Sequence, residues 1–340
     1  MKLVLATTRN PGFPTITEYL ERAVRRLGHE VTTFDDRAFL LPGRLRDAVP
    51  ALQRLELARL NRGLVRCVRT RRADLLLCAG GERILPTTVA AARRAGVTTA
   101  LWTIDPVKPA DPRIPLASAF DFVFCGGTEM LVALEGTRLQ RPPRWLPFGC
   151  DAELHRPLVL GLDDRRRYAH DIAFVGSLHP ALYGDRLAML EALADLDLGV
   201  WGPGAFALPA KSPVRARVCG GEVSYEVWRR IYAGAAIVLC AHYSGPGPRS
   251  LQASPRVYEV LACGTFLLCD DRPDVRALFQ DGVDLAIFRD TRELREKAEY
   301  YLAHPNARQA VARRGQDRVL TGHTYRHRLA TLLRAVRDGA

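Results

Sequence analysis

The chain has no apolar run approaching the roughly 20 residues that a membrane span requires. Its start, MKLVLATTRNPGFP, lacks both the long apolar core and the small-residue cleavage site of a secretory leader, so the expectation is a protein that stays in the cytoplasm. The eight cysteines form no Cys-x-x-Cys pair, and Cys78, Cys125, Cys240 and Cys269 lie in or at the ends of apolar runs. That dispersal speaks against a disulfide framework and against zinc, and for reduced, buried, inert thiols. The fingerprint Gly-x-Gly-x-x-Gly is missing from the first loop, which argues against NAD binding there. Lysine is scarce, with four residues, yet arginine carries the net charge to +12 and the pI to about 9.6. Such a field attracts nucleic acid, anionic lipid or phosphorylated ligands; because the arginine bias also fits codon usage, charge alone selects no partner. What remains is the balance of a soluble globular protein, 48% hydrophobic and 25% charged, with 340 residues to fill two domains of ordinary size.

The most informative stretch spans residues 237–271. Residues 237–241 and 265–269 are short apolar runs without helical period, the pattern of strands buried on both faces of a parallel sheet. Between them the sequence writes a crossover helix: Ser254 to cap it, Pro255 for its first position, Gly264 for a left-handed stop. A helix start beyond the carboxyl end of a strand offers free N–H groups and a partial positive charge to a phosphate. Arg256 adds a full charge. Glu259 shares a helix face with Arg256 while Val257, Val260 and Leu261 turn toward the sheet, so a carboxylate stands one turn behind the phosphate site, where it can accept both hydroxyls of a ribose. The alternative is a plain Arg256–Glu259 pair on a solvated face.

Taken in order, residues 2–7, 30–34, 74–78, 99–104 and 120–125 read as strands, with helices over 15–27, 51–72 and 87–95. Gly80, Gly81, Glu82, Asp105, Gly126, Gly127 and Thr128 follow strand ends and should converge on one crevice. Asp105 can accept a proton from a hydroxyl or hold a sugar hydroxyl, although Asp-Pro is also an ordinary turn start. The helix over 51–72 sets Leu57, Leu60, Leu64 and Val68 on one face and Arg59, Arg62, Arg66 and Arg69 on the other. It has no aromatic or long apolar flank. The proline-rich stretch 141–156 reads as a connector, followed by strands over 171–175 and 198–201 and helices over 226–233, 292–301, 307–320 and 325–336. His242, just past the strand 237–241, is a candidate sugar or phosphate ligand against the commoner case of a satisfied structural histidine.

The run Ser254-Pro-Arg-Val-Tyr-Glu-Val-Leu-Ala-Cys-Gly-Thr-Phe-Leu-Leu, with Leu278-Phe-Gln-Asp-Gly and Tyr300-Tyr-Leu-Ala-His-Pro, resembles the carboxy-terminal domain of GT-B glycosyltransferases. The resemblance is nearest to the CgeB-like (spore maturation protein) branch of the group-1 enzymes; it covers residues 171–327 well and the first half in outline. It implies an α/β chain of two Rossmann-like domains facing a central cleft: an acceptor domain over 1–155, a nucleotide-sugar donor domain over 156–324, and a helix over 325–340 returning to the first. It implies that Gly176 and Ser177, with Arg186 nearby, meet the donor diphosphate together with Ser254 and Arg256. Val223 then offers its backbone to the base, Glu259 holds the ribose, and Asn10 and Gly12 touch the acceptor. Asp105 and His242 are the catalytic candidates.

Many group-1 enzymes carry a second glutamate eight positions before the one matched by Glu259; here that place is held by Leu251. No Asp-x-Asp triplet stands beside the diphosphate loop, so the implied reaction is metal-independent, and by resemblance retaining, with a nucleotide-diphosphate sugar as co-substrate, no further cofactor and an unidentified acceptor. Two other classes stay open: a non-catalytic nucleotide or nucleic-acid binding protein of the same shape, and a sugar-nucleotide epimerase. Nucleic acid is the disfavoured partner. Enzymes of this fold that act on lipid-linked acceptors use basic surface on the first domain, which makes the Arg59–Arg69 face a candidate for peripheral contact with the anionic inner face of the membrane.

Overall fold

The computed structural model of the chain describes residues 1–12, 14–179, 183–221, 223–245 and 249–339. Among the described residues twelve strands form two sheets. The first holds β1 (Lys2–Thr7), β2 (Glu30–Asp35), β3 (Leu75–Ala79), β4 (Thr98–Thr103), β5 (Phe122–Cys125) and β6 (Arg144–Trp145), in the order β2-β1-β3-β4-β5-β6. The second holds β7 (Ile172–Val175), β8 (Leu198–Trp201), β9 (Val218–Gly220), β10 (Ile237–Cys240), β11 (Leu267–Asp270) and β12 (Ala286–Phe288), in the order β12-β11-β10-β7-β8-β9. Every neighbouring pair is parallel. Parallel strands need crossovers that cover both sheet faces, which is why β3, β7 and β10 are apolar and buried along their length, as is β11 up to the buried Asp270 at its end. Each sheet therefore has its own core, one around Val4, Leu64, Leu76 and Phe120, the other around Phe174, Leu239, Leu268 and Phe288.

The chain divides into two compact units, Met1–Pro147 with Arg326–Ala340, and Phe148–Tyr325. The division falls inside the proline-rich stretch 141–156. In the first unit the basic helix runs over Pro50–Thr70 and buries Leu60, Leu64 and Val68. In the second, the helix Pro255–Ala262 starts on an extended Ser254 and a proline, and Gly264 at φ 74° turns the chain out of it. The expected cap is absent: the Ser254 hydroxyl makes no bond to the helix N–H groups and lies instead 3.8 Å from Cys240 Sγ. The backbone there is held from another direction, described next.

Candidate functional site

In the second sheet the chain moves outward from β7 to β9 and then returns to the other side of β7 as β10, so the topology switches between β7 and β10. Crossovers leave that switch point in opposite directions and open a crevice outside the carboxyl ends of the two strands. Gly176 and Ser177 follow β7, His242 follows β10, and the helix Pro255–Ala262 begins there.

Glycine makes the floor of this crevice. Gly176 N–H donates to the Trp201 carbonyl at 2.8 Å, and a Cβ on Gly202, which has φ 150°, would stand 1.9 Å from the Gly176 carbonyl oxygen. Two backbones touch where neither could carry a side chain. A Cβ on Gly176 would in turn stand 3.2 Å from Arg256 Nη2, so the Arg256 guanidinium lies against the Gly176 backbone. Ser177 adds an oxygen beside it, already accepting the His179 N–H at 3.3 Å.

A second guanidinium joins the first. Arg186 donates from Nη1 to the Ser177 carbonyl and from Nη2 to the Ala241 carbonyl at 2.6 Å, tying the ends of β7 and β10 together across the switch point. Its plane lies 3.6 Å from the Tyr183 ring centre, and the two guanidinia share the Phe174 ring at 5.0 and 5.8 Å. Among the described residues neither arginine is within ion-pairing distance of a carboxylate, and the Nε of each is buried without a hydrogen-bond partner. Burial, and then the neighbouring charge of Arg256, push Arg186 down to about 10. Two neighbouring cations, each with an unpartnered Nε and neither within ion-pairing distance of a carboxylate among the described residues, make a seat for a dianion.

Glu259 stands one turn behind, partly exposed, and forms no ion pair with Arg256 among the described residues. Burial pushes its carboxyl up to about 7 against the opposing pull of Arg256. The plain surface pair is thus not formed among the described residues, and the Glu259 carboxyl keeps oxygens that can accept hydroxyls once ionised. Val223 is partly exposed next to Ser224, the residue that opens the helix Tyr225–Gly234, while Tyr225 itself is core and donates its hydroxyl to the Leu154 carbonyl at 2.7 Å.

His242 corrects the sequence reading. It is buried, its Nδ1 sits 2.5 Å from Asp270 Oδ1, and its Nε2 accepts the Ser254 N–H at 3.0 Å. Both ring nitrogens are spent on the protein, so the side chain holds the start of the Arg256 helix and is not a ligand for sugar or phosphate. Asp270 is fixed in turn by Arg272 at 2.8 Å.

In the first unit, the Asn10 carboxamide oxygen accepts the Gly12 N–H at 2.8 Å, closing its own loop. Asp105 is exposed at the carboxyl end of β4, and its carbonyl accepts Arg113 Nη1 at 2.9 Å. Arg113, which the sequence reading passed over, is fully buried, pairs with Asp111 and also donates to the Pro106 carbonyl at 2.7 Å. It thereby fixes the loop that carries Asp105. The signal was present as the run Asp111-Pro112-Arg113 at the far end of the loop that follows β4. On the basic helix, Arg62, Arg66 and Arg69 are exposed, but Arg59 turns aside to Glu56 at 3.2 Å. On that helix Leu55 is 64% exposed, and in the residues before it Leu40, Leu45 and Val49 are 73%, 52% and 43% exposed.

Residues 186–334 match the family described as glycosyl transferase-like. No curated protein matches the chain by sequence. Solved structures share its fold from end to end at low identity. The HepE protein of Anabaena, solved with UDP and glucose, is 14% identical with a TM-score of 0.68 over 99% of this chain and 100% of that one. Sucrose-phosphate synthase from Thermosynechococcus elongatus is 13% identical with a TM-score of 0.69 over 100% of both chains. The α,α-trehalose 6-phosphate synthase of Burkholderia multivorans is 12% identical with a TM-score of 0.66 over 99% of both. The chain thus has the GT-B fold of two parallel-sheet Rossmann-like units, and its residues 186–334 are similar to a glycosyl transferase-like family.

Proposed function

We propose that this enzyme takes a sugar from a nucleotide-diphosphate donor seated on the second unit and delivers it to an acceptor hydroxyl, in the manner of the CgeB-like branch. The observation that carries the proposal is the pair Arg186 and Arg256 against the Gly176 backbone, without a carboxylate partner among the described residues. Departure of a nucleoside diphosphate builds negative charge on its β-phosphate, and preorganised cations at that point lower the barrier because the charge grows where they already stand. Pro255 has no N–H and that of Ser254 is taken by His242, so two full charges rather than the helix dipole of about half a charge supply the field. This arrangement supports metal-independent transfer, with Arg256 and Arg186 on the diphosphate, Glu259 on the ribose and Asp105 toward the acceptor.

A uridine donor is the first choice, since the Anabaena protein of like fold was solved with UDP. Retention at the anomeric carbon is the outcome expected from the resemblance. Calorimetry with UDP, GDP and dTDP, followed by hydrolysis and transfer assays with the matching nucleotide sugars, tests the reading; failure of all three nucleotides to bind at millimolar concentration overturns it. An acceptor at an anionic membrane surface is the reading supported by the exposed Arg62, Arg66 and Arg69 and by exposed Leu55 on the same helix.

A further inference from the structure

Cys240 and Cys269 stand opposite one another in register on β10 and β11. His242 lies two residues past Cys240, and Asp270 directly follows Cys269. One ligand atom from each, two sulfurs, an imidazole nitrogen and a carboxylate oxygen, lie within 4.8 Å of one another, and all four residues are buried. We propose that Cys240, His242, Cys269 and Asp270 form a binding site for a thiophilic divalent cation of the zinc class, set beneath the donor crevice and separate from it.

Two thiolates, one imidazole and one carboxylate are a complete tetrahedral set for zinc. Metal–ligand distances of about 2.0–2.3 Å place tetrahedral donors roughly 3.3–3.8 Å apart, so closing on an ion requires side-chain shifts of about 1 Å and no new backbone path. Charge also closes. Two thiolates and a carboxylate exceed the ion by one negative charge, and Arg272, 2.8 Å from Asp270 Oδ2, supplies the balancing positive charge while leaving Oδ1 to the metal. On loading, the ion takes the place of the proton that His242 Nδ1 shares with Asp270 Oδ1, and the two thiols release theirs. The neutral imidazole then carries its hydrogen on Nε2, so the bond from the Ser254 N–H is given up on loading.

The site is invisible as a spacing. Its ligands come from two strands joined by a crossover, and the pairing of β10 with β11, not a Cys-x-x-Cys turn, brings the sulfurs together. The expectation of inert thiols holds for Cys78 and Cys125, which burial pushes up and which stand in no such group. It does not hold for Cys240 and Cys269.

The test strips the reduced full-length protein with a chelator and titrates it with cobalt(II), reading thiolate-to-cobalt charge transfer and the visible bands of a four-coordinate ion. One equivalent is expected, displaced by zinc. Cys240→Ser and Cys269→Ser should each weaken binding by about tenfold or more and diminish the charge-transfer band. Cys219→Ser should leave it intact, although the exposed Cys219 sulfur lies 3.9 Å from His170 Nε2 and is the competing thiol–imidazole pair. A measurement on the wild-type chain alone avoids any folding defect: in mild denaturant, zinc should shield Cys240 and Cys269 from alkylation, mapped by mass spectrometry, while Cys219 reacts at its metal-free rate. Absence of the charge-transfer band in the wild type, its survival in the Cys240→Ser/Cys269→Ser double variant, its loss in Cys219→Ser, or unshielded Cys240 and Cys269 overturns the proposal.

Discussion

Replacing Arg256 with methionine removes one of the two guanidinia at Gly176 and keeps apolar bulk beside Phe174. The Nη2 of Arg256 stands 3.2 Å from the position of a hypothetical Gly176 Cβ, which would also meet the Phe174 ring at 2.9 Å, so the guanidinium is packed against the Gly176 backbone. A charge-assisted hydrogen bond at that point contributes about 1.5–3 kcal/mol, or roughly 10- to 150-fold in Kd. The free protein should lose little, because Arg256 has no carboxylate partner among the described residues and its removal relieves the repulsion felt by Arg186. The expected result is therefore a split: calorimetry shows weakened UDP binding, while scanning calorimetry keeps the melting temperature within about 2 °C. Arg256→Lys should fall between, since an ammonium keeps the charge and loses the planar fork. Equal UDP affinity in Arg256→Met and wild type would remove the arginine pair from the donor site. A fall in melting temperature of more than about 5 °C would make Arg256 a structural residue and refute the reasoning by another route.

Glu259 should impose a pH profile on the donor: with its carboxyl near 7 in the free protein, affinity for UDP-glucose, whose diphosphate has no proton to lose in that range, should rise about tenfold between pH 6 and 8, and Glu259→Gln should flatten the curve. Stability runs the opposite way, because a carboxyl raised above its ordinary 4.5 stabilises the free fold when protonated, a contribution lost as the pH rises toward and through 7; urea titrations should show this slope vanish in Glu259→Gln. His155 is fully buried beside Trp228, and burial, then Arg229, push it down to about 3, so its contribution is complete above the ordinary 6.5 and lost as pH falls toward 3. Lowering the pH from 7 to 5 should cost about 2 kcal/mol through this residue, and a His155→Gln variant that keeps the wild-type slope would discount it. Sedimentation with anionic vesicles should be strong at low salt, weak on neutral vesicles, and reduced both by Arg62→Gln/Arg66→Gln/Arg69→Gln and by Leu40→Ser/Leu45→Ser; unchanged pelleting of both variants points to an acceptor in solution.

The fold was legible because parallel strands buried on both faces must be continuous apolar runs, and these recur between amphipathic helices along most of the chain. Residues 198–201 and 2–7 were placed with the bounds that β8 and β1 have, since both are flanked by turn residues that stop the strand sharply. The short strands β6, β9 and β12 were missed. With two or three residues each they carry no period, and their pairing is decided by a neighbouring strand rather than by their own sequence.

The site divides along the same line. Arg256 and Glu259 were legible because both lie on one helix, where a spacing of three fixes a shared face whatever the rest of the protein does. The surroundings of Arg186 and His242 were not legible, and for one reason: each owes its position to a partner far away in sequence. Arg186 faces the crevice because its guanidinium bridges the carbonyls of Ser177 and Ala241, 9 and 55 residues away, which exist as neighbours only once β7 lies beside β10. His242 is withdrawn from the crevice because Asp270, 28 residues on, arrives at the end of the next strand and takes its Nδ1, leaving Nε2 to the Ser254 N–H. The missing hydroxyl cap on the helix is the local trace of that arrangement. A serine whose N–H is already held by an imidazole opens a helix whose positive end is reinforced by side chains rather than by its own cap, and under the proposed function the charge that meets the donor is carried by Arg186 and Arg256.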